Sequence, residues 1–294
     1  MEGAPVNPAV VRAIPAFFVI IWATGFIVAR LVAPHADPMT FLALRCALAA
    51  AAFALIAFAV GASWPATPRQ WFDALVAGVL MQGLYLGATF WATKHGLQAG
   101  IVALVMGLQP LLTGLLSVPL LGERVSGQRW LGIGLGFSGA LLVLFPRVGD
   151  ASAALPAAAI AVAFAGMVSM TLGTIWQKRT AAAADLRTNA AVQFIGGVAI
   201  LLPLAFFTED MHLDGTAEMW IGLVWAVFGL SLGAITLLLY LIRQGAVAGV
   251  AALLYLVPPV SALMAFFLFD ETLETVQIAG MALSAAGVAI ANRP

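Results

Sequence analysis

The chain has 294 residues, of which 63% are hydrophobic and only 9% are charged. Soluble domains carry about a quarter charged residues and about half apolar ones, so this chain has too little polar surface to face water. The composition excludes a soluble enzyme, a nucleic-acid-binding protein and a disordered chain. The 13 basic and 13 acidic residues cancel, and this balance indicates no polybasic or acidic partner.

Cysteine and histidine are too sparse to build a metal or redox site. Cys46 is the single cysteine of the sequence, so no internal disulfide and no cysteine metal cluster can form. The three histidines, His35, His95 and His212, lie far apart and show no ligand spacing. We therefore expect no metal and no cofactor.

Apolar segments of membrane-spanning length follow one another along the whole chain. A helix needs about 20 mainly apolar residues to cross about 30 Å of hydrocarbon. Windows of that size predict an all-α membrane protein with ten transmembrane helices, and the first is interpreted as a retained helix rather than a cleaved signal. The predicted spans are 10–30, 39–60, 70–92, 98–119, 128–146, 154–176, 188–207, 218–241, 246–268 and 275–292.

Basic residues predict the orientation of these spans. Ten spans place both termini on one side, and that side collects nine basic residues against four on the other. Because cytoplasmic loops carry an excess of Lys and Arg, we expect both termini in the cytoplasm. The four on the outer side are Arg30, Arg45, Lys94 and Arg147.

The two halves of the sequence resemble each other at an offset of 148–149 residues. The stretch 99–104 resembles 248–253, Pro110 aligns with Pro259, and Glu123 aligns with Glu271. These matches predict two five-helix domains, 1–147 and 148–294. Since five is odd, the second repeat must be inverted in the membrane, an arrangement typical of secondary transporters.

At these residues the sequence resembles the EamA family of the drug/metabolite transporter superfamily, and within it the bacterial amino-acid exporters. The duplicated segments 99–123 and 248–271 carry the resemblance, together with Trp22, Thr24-Gly25 and Leu44-Arg45. The resemblance covers essentially the whole chain. It implies two inverted five-helix repeats and alternating access for small metabolites. It also implies a multi-pass protein of the bacterial inner membrane that exports aromatic and other neutral amino acids.

Polar and aromatic residues inside the spans form stripes that predict a cavity near the membrane midplane. In the third span Gln82, Tyr85 and Thr89 share one helix face, and similar stripes follow in the fourth, sixth, eighth and ninth spans. Hydrogen bonding between packed helices is the alternative interpretation. The candidate substrate-binding residues are Trp22, Thr24, Gln82, Tyr85, Thr89, Trp91, Met106, Gln109, Thr171, Trp176, Tyr240 and Tyr255.

Proline and glycine add two further predictions. Pro110 and Pro259 fall near the middle of the fourth and ninth spans, where each would kink its helix and act as a hinge, or as a static bend. Glycines four residues apart, as in 132–136 and 245–249, permit close helix approach. In spans five and ten they favour helix packing or a homodimer surface.

Charge is scarce at membrane depth, which bears on coupling. No Asp or Glu lies in the middle third of any predicted span, so the sequence favours a uniporter over a proton-coupled carrier. Arg45 could hold a substrate carboxylate, but extension to the headgroups is the interpretation that the sequence favours. His95 could titrate near neutral pH, and an external loop position is favoured.

Other functions fit less well. A membrane enzyme would need a catalytic motif, and the sequence carries neither His-Glu-x-x-His nor a phosphate-binding glycine loop. A channel would need a charged or carbonyl-lined filter. Phosphorylated substrates would need Lys or Arg at mid-depth in the membrane, and cationic drugs would need a buried acidic residue. The predicted spans contain neither. A neutral, partly aromatic solute is therefore favoured, with a proton-coupled exporter of another metabolite or drug as the alternative.

Overall fold

The computed structural model describes residues 8–97, 102, 105–122, 125–148, 156–180, 184–243, 253–269 and 274–291. Within them the chain is helical, and the one β-type pairing is an isolated bridge between Ala36 and Leu213. Each predicted span contains a described helix, so the prediction of an all-α membrane protein is confirmed. The helices, numbered in chain order, are α1 Pro8–Val32, α2 Pro38–Ala59, α3 Pro68–Lys94, α4 Gln109–Leu121, α5 Gly127–Val148, α6 Ala157–Thr180, α7 Leu186–Thr208, α8 (Ala217–Val224, Trp225–Ala234 and Ile235–Arg243), α9 Val257–Phe269 and α10 Thr275–Ala291.

Six of the described helices are long and apolar enough to cross a membrane: α1, α2, α3, α6, α7 and α8. Shorter apolar helical stretches occur at Val105–Leu116, Leu254–Leu268 and Thr275–Ala291. Polar residues set the helix starts between spans. Thr67 and Gln70 form a capping box ahead of α3, and the Thr216 hydroxyl accepts the Met219 amide at the start of α8.

The main helix contacts between the two halves of the bundle come in matching pairs. A contact of this kind made by a helix of one half has a counterpart made by the equivalent helix of the other half. The strongest contacts join α5 to α10 and α2 to α7, which occupy equivalent positions in the two halves. In the same way α3 contacts α6 and α7, and its equivalent α8 contacts α1 and α2. Likewise α4 contacts α6, and its equivalent α9 contacts α1. This pattern has the two-fold regularity that the internal repeat predicts.

Equivalent helices also run in opposite directions. A Cβ added at Gly132 would lie 2.5 Å from the Ala291 nitrogen, and one at Gly139 would lie 2.3 Å from the Ser284 nitrogen. Since residue numbers rise along α5 as they fall along α10, these helices are antiparallel. The glycines therefore serve helix packing within one chain, which is the first of the two predicted roles; the homodimer stays a prediction.

Two stretches of π-helix occur at equivalent places in the halves. In α3 the π segment is Val79–Leu84, and in α8 it is Trp225–Ala234. π-Bulges insert one residue into an α-helix and are frequent at functional sites. The predicted spans gave no indication of these irregularities.

The repeat prolines lie in the first turns of helical segments. Pro110 is the second residue of α4, which follows a turn at Leu108, and Pro259 is the third residue of α9, which follows a 3₁₀ turn at Leu254–Leu256. Each proline thus follows a local interruption of its helical stretch, and the predicted kink stays a prediction. A hinge at these breaks stays a prediction.

Most of the duplicated motif lies outside the described residues, namely 98–101, 103–104 and 244–252. Glu123, Glu271 and the Gly245–Gly249 pair also lie outside them.

Candidate substrate cavity

A cavity lies between the two halves of the bundle and holds about 810 Å³ of empty space, its open mouth included. Small-molecule sites are mostly apolar with a few polar groups, and the lining of this cavity has that composition. Residues from α1, α2, α3, α6, α7 and α8 surround it. They are Trp22, Gly25, Phe26, Arg45, Met81, Gln82, Tyr85, Leu86, Thr89, Phe90, Met170, Gln177, Gln193, Leu230, Ile235 and Leu238.

A second, smaller cavity adjoins the first and shares four of its lining residues. It holds about 400 Å³ with its mouth included and extends toward α4 and α9. Among its lining residues, Met106 and Gln109 come from the fourth predicted span. The Gln109 amide nitrogen is 3.5 Å from the Thr174 hydroxyl of α6. The shared residues are Trp22, Phe26, Tyr85 and Met170.

Half of the predicted candidates line these cavities: Trp22, Gln82, Tyr85, Thr89, Met106 and Gln109. The stripe of Gln82, Tyr85 and Thr89 is buried, with exposed fractions of 8%, 9% and 5%. The Thr89 hydroxyl donates to the Tyr85 carbonyl, which fixes its position one turn along α3. The third helix therefore supplies most of the polar wall that its spacing predicts.

The other candidates lie outside the cavity linings, and hydrogen bonds account for three of them. The Thr24 hydroxyl accepts the Trp225 indole N–H at 2.7 Å. The Thr171 hydroxyl donates to the Met167 carbonyl within α6, and the Trp176 indole donates to the Asp73 carbonyl. These side chains join helices or satisfy their own helix, as the alternative interpretation holds.

Three aromatic candidates also point elsewhere. Tyr255 is fully buried in a cluster with Ile133 and Val288, against α5 and α10. Trp91 stacks on His95 with ring centroids 3.7 Å apart, and His95 is exposed directly after α3, as favoured. Tyr240 is half-buried and lines neither cavity.

Arg45 is buried in the larger cavity, so the favoured prediction of headgroup extension is wrong. Its exposed fraction is 6%, and its Nε donates to the Ser231 hydroxyl of α8 at 3.2 Å. At about 1.5 Å per residue, Arg45 lies about 10 Å from the start of α2. The side chain turns inward because a hydroxyl of the other half accepts from it there.

Ser231 connects this arginine to the π segment of α8. Its hydroxyl donates to the Ala226 carbonyl five residues earlier at 2.9 Å while it accepts from Arg45. The guanidinium orientation therefore depends on the backbone of α8.

Two further glutamines and one methionine line the larger cavity, although the sequence stripes do not single them out as candidates. Gln193 is 5% exposed in the first half of α7, and Gln177 lies three residues before the end of α6. Gln193 is a polar residue within a predicted span, and that signal was available in the sequence. Met170 is apolar, so nothing distinguishes it from packing residues.

No acidic side chain lines either cavity in the part of the chain that the structure describes. A search of those same residues finds no group of three His, Cys, Asp or Glu side chains able to hold a metal ion. Arg45 is thus the single ionised group among the described lining residues. The cavity is apolar with a net positive lining.

One end of the bundle, which we call the loop end, is held by contacts between residues 33–40, 94 and 209–216. Lys94 Nζ lies 2.6 Å from the Asp37 carboxylate and also donates to the Ala36 carbonyl. The His35 ring nitrogen lies 2.6 Å from the Asp214 carboxylate. Backbone bonds run from the Asp37 amide to the His212 carbonyl and from the Asp214 amide to the His35 carbonyl. These contacts join the first half of the chain to the second.

Hydrogen bonding lowers the pKa of both aspartates at the loop end. Burial raises the pKa of Asp37, but its bonds to Lys94 and to the His212 amide outweigh burial and leave the pKa below its ordinary value. For Asp214 the Thr216 amide is the largest cause, and with His35 it lowers the pKa to about 2. Both groups are therefore ionised at neutral pH, as their cationic or donor partners require.

A model of the EamA-like transporter family matches residues 14–145 and again residues 157–293. The chain belongs to this family. It is a transporter by family, and the sequence resemblance is confirmed. The two matches divide the chain near the predicted boundary between its halves.

Individual relatives of this transporter agree with that assignment. It is 25% identical over 285 residues to the "Uncharacterized transporter YvbV" of Bacillus subtilis (strain 168), covering 94% of this chain and 90% of the relative. It is 27% identical to the "Probable amino-acid metabolite efflux pump" of Escherichia coli (strain K12), covering 92% and 91%. A solved crystal structure, described only as that of a protein, has a TM-score of 0.79 at 22% identity with 97% of both chains covered. That likeness bears on the fold alone.

Proposed function

We propose that this transporter exports small neutral amino acids, including aromatic ones, or closely related metabolites across the bacterial inner membrane. The observation that carries the proposal is the cavity between the halves, with aromatic walls and buried amide side chains. Aromatic walls suit an apolar side chain, and amides can hydrogen-bond an amino-acid head group. The name of the Escherichia coli relative supports the same class of solute and the outward direction.

Transport proceeds by alternating access between two inverted repeats, 1–147 and 148–294. The antiparallel packing of α5 against α10, and the paired helix contacts, support this arrangement. With both termini in the cytoplasm, the loop end faces outward. Its ion pairs then close the outer side, while the cavity extends to Gln177 near the opposite end of α6.

The carrier works as a uniporter that dissipates the substrate gradient. Proton-coupled carriers rely on a buried carboxylate as relay, and the described lining residues include none. Export then needs no cofactor and no partner beyond the substrate and the bilayer.

Flux through purified protein in proteoliposomes tests this function. Vesicles would be loaded with labelled phenylalanine, methionine or threonine, with and without a pH gradient. We expect saturable efflux that ignores the gradient. Flux that requires a pH gradient would support a proton-coupled exporter instead, and the absence of saturable flux for all three would contradict amino-acid export.

A further inference from the structure

We propose that Arg45 binds the carboxylate of the transported solute, and that the carboxylate, rather than the amine, is the group that the cavity requires. The inference rests on the proposed function and deepens it by naming the recognised group. It starts from a guanidinium that is 6% exposed and lines the larger cavity. A buried charge without a counter-ion is costly and marks a functional position in a membrane protein.

The hydrogen bonds of Arg45 leave part of its guanidinium free. A guanidinium has five N–H donors, and Nε uses one of them on the Ser231 hydroxyl. Among the described residues, no acceptor lies within hydrogen-bond distance of the two terminal nitrogens and no carboxylate pairs with the side chain. The edge formed by those nitrogens is the one that receives a carboxylate through two parallel bonds.

Ser231 sets the direction of that edge. Because its hydroxyl donates to the Ala226 carbonyl, its lone pairs are available to Arg45 from a fixed position. The arginine comes from the first half of the chain and the serine from the second, so the pair spans the boundary across which the halves must move. Ser231 is therefore a positioning residue for Arg45.

Charge balance selects a carboxylate over other anions. One cation lines the described part of the cavity, and one monoanionic carboxylate neutralises it. A phosphate monoester would bring close to two negative charges and leave one uncompensated in an apolar site. Basic solutes would be repelled by Arg45. An ammonium group, by contrast, meets neutral oxygens such as those of Gln82 and Gln193, and aromatic faces, with no counter-charge, and so adds less than the carboxylate.

Competition among three phenyl compounds separates these groups. Against phenylalanine efflux from wild-type proteoliposomes we expect inhibition by 3-phenylpropanoate, which has the carboxylate only. We expect much weaker inhibition by phenethylamine, which has the amine only, and by 3-phenylpropanamide, which has neither charge. Phenethylamine inhibiting as strongly as 3-phenylpropanoate would overturn the proposal.

Variants of Arg45 locate the effect. Losing a charged hydrogen-bonding partner corresponds to about a tenfold or larger change in affinity. R45Q should therefore raise the inhibition constant of 3-phenylpropanoate at least about tenfold and leave that of 3-phenylpropanamide unchanged. R45K keeps the charge but loses the two parallel donors. S231A keeps the arginine but removes the hydroxyl that orients it. Both variants should therefore raise the inhibition constant of 3-phenylpropanoate by less than R45Q does. An unchanged constant for 3-phenylpropanoate in R45K and R45Q would overturn the assignment.

Ligand-induced thermal shifts keep this test separate from the proposed function. If wild-type protein moves no amino acid, the proposed function fails. The carboxylate site is then judged by whether 3-phenylpropanoate raises the unfolding temperature of wild type more than 3-phenylpropanamide does. R45K and S231A should reduce that difference. A shift equal for the two compounds would contradict the site, whatever the flux.

Discussion

The Glu209 carboxylate, at the end of α7, accepts the amide and the hydroxyl of Thr40 in the first turn of α2, both at 2.9 Å. It also accepts the Met39 amide at 2.8 Å. The residue before α2, Asp37, makes no side-chain cap of its own, so the helix start in one half is capped by the other half. An anion at a helix N-terminus satisfies free N–H groups and interacts favourably with the helix dipole.

Replacing Glu209 by alanine should loosen the loop end. The first amides of α2 lose their acceptor, and losing such a cap costs about 1 to 2 kcal/mol. We expect E209A to lower the thermal unfolding midpoint in detergent. D210N, which changes the exposed neighbour, is the matched control and should leave the midpoint unchanged. A midpoint equal in E209A and wild type would contradict an energetic role for this contact.

The pKa of Asp214 predicts acid sensitivity of the loop end. The Thr216 amide and His35 lower this pKa from 3.8 to about 2. The folded chain therefore holds this proton more weakly than the unfolded chain does, so the stabilisation is complete above about pH 4 and is lost as the pH falls through 2. D214N should flatten the dependence of the unfolding midpoint on pH between about 4 and 2. If wild type and D214N showed parallel curves there, the assigned coupling would be wrong.

A matched pair of tyrosines tests the cavity. Tyr85 lines both cavities, whereas Tyr240 lines neither. Y85A should lower phenylalanine flux per reconstituted protein by roughly tenfold, because it removes a wall of the site. Y240A should transport like wild type, with equal membrane expression of both variants as the check. Equal loss in the two variants would place the determinant outside the cavity.

Close approach of α5 and α10 makes a further prediction about stability. A Cβ at Gly287 would lie 2.3 Å from the Gly136 nitrogen, whereas one at Gly134 meets nothing within 4 Å. G287A should therefore push the helices apart and destabilise the protein by at least about 1 to 3 kcal/mol. Thermal unfolding of G134A, on the other side of α5, is the control and should match wild type. A stable G287A would mean that the two helices separate without cost.

Much of the architecture could be predicted because hydrophobic length alone defines spans in a membrane. The stripe of Gln82, Tyr85 and Thr89 was also predictable, since side chains one and two turns apart share a face. Spacing does not say which neighbour that face meets. Thr171 satisfies the same rule, yet it lines neither cavity.

Arg45 shows the same limit more sharply. An arginine in a span can reach the headgroups or a partner inside, and the outcome depends on the Ser231 hydroxyl, 186 positions further along the chain. No local pattern encodes that pairing. Tyr255 lies outside both cavities for the same reason, because its surroundings come from α5 and α10.

The π segment of α3 has a consequence for how such cavities change. An inserted residue turns every later side chain by about 100° relative to a regular helix. Tyr85 follows Val79–Leu84 directly. The direction of its side chain therefore depends on how the six residues of the π segment are wound. Winding the same residues as a regular α-helix would swing Tyr85 and Thr89 out of the wall together while leaving Gly78 and its contacts behind, whereas removing one residue would straighten the segment and keep both side chains in place. A change between π and α winding would therefore redraw the binding surface with no change of sequence.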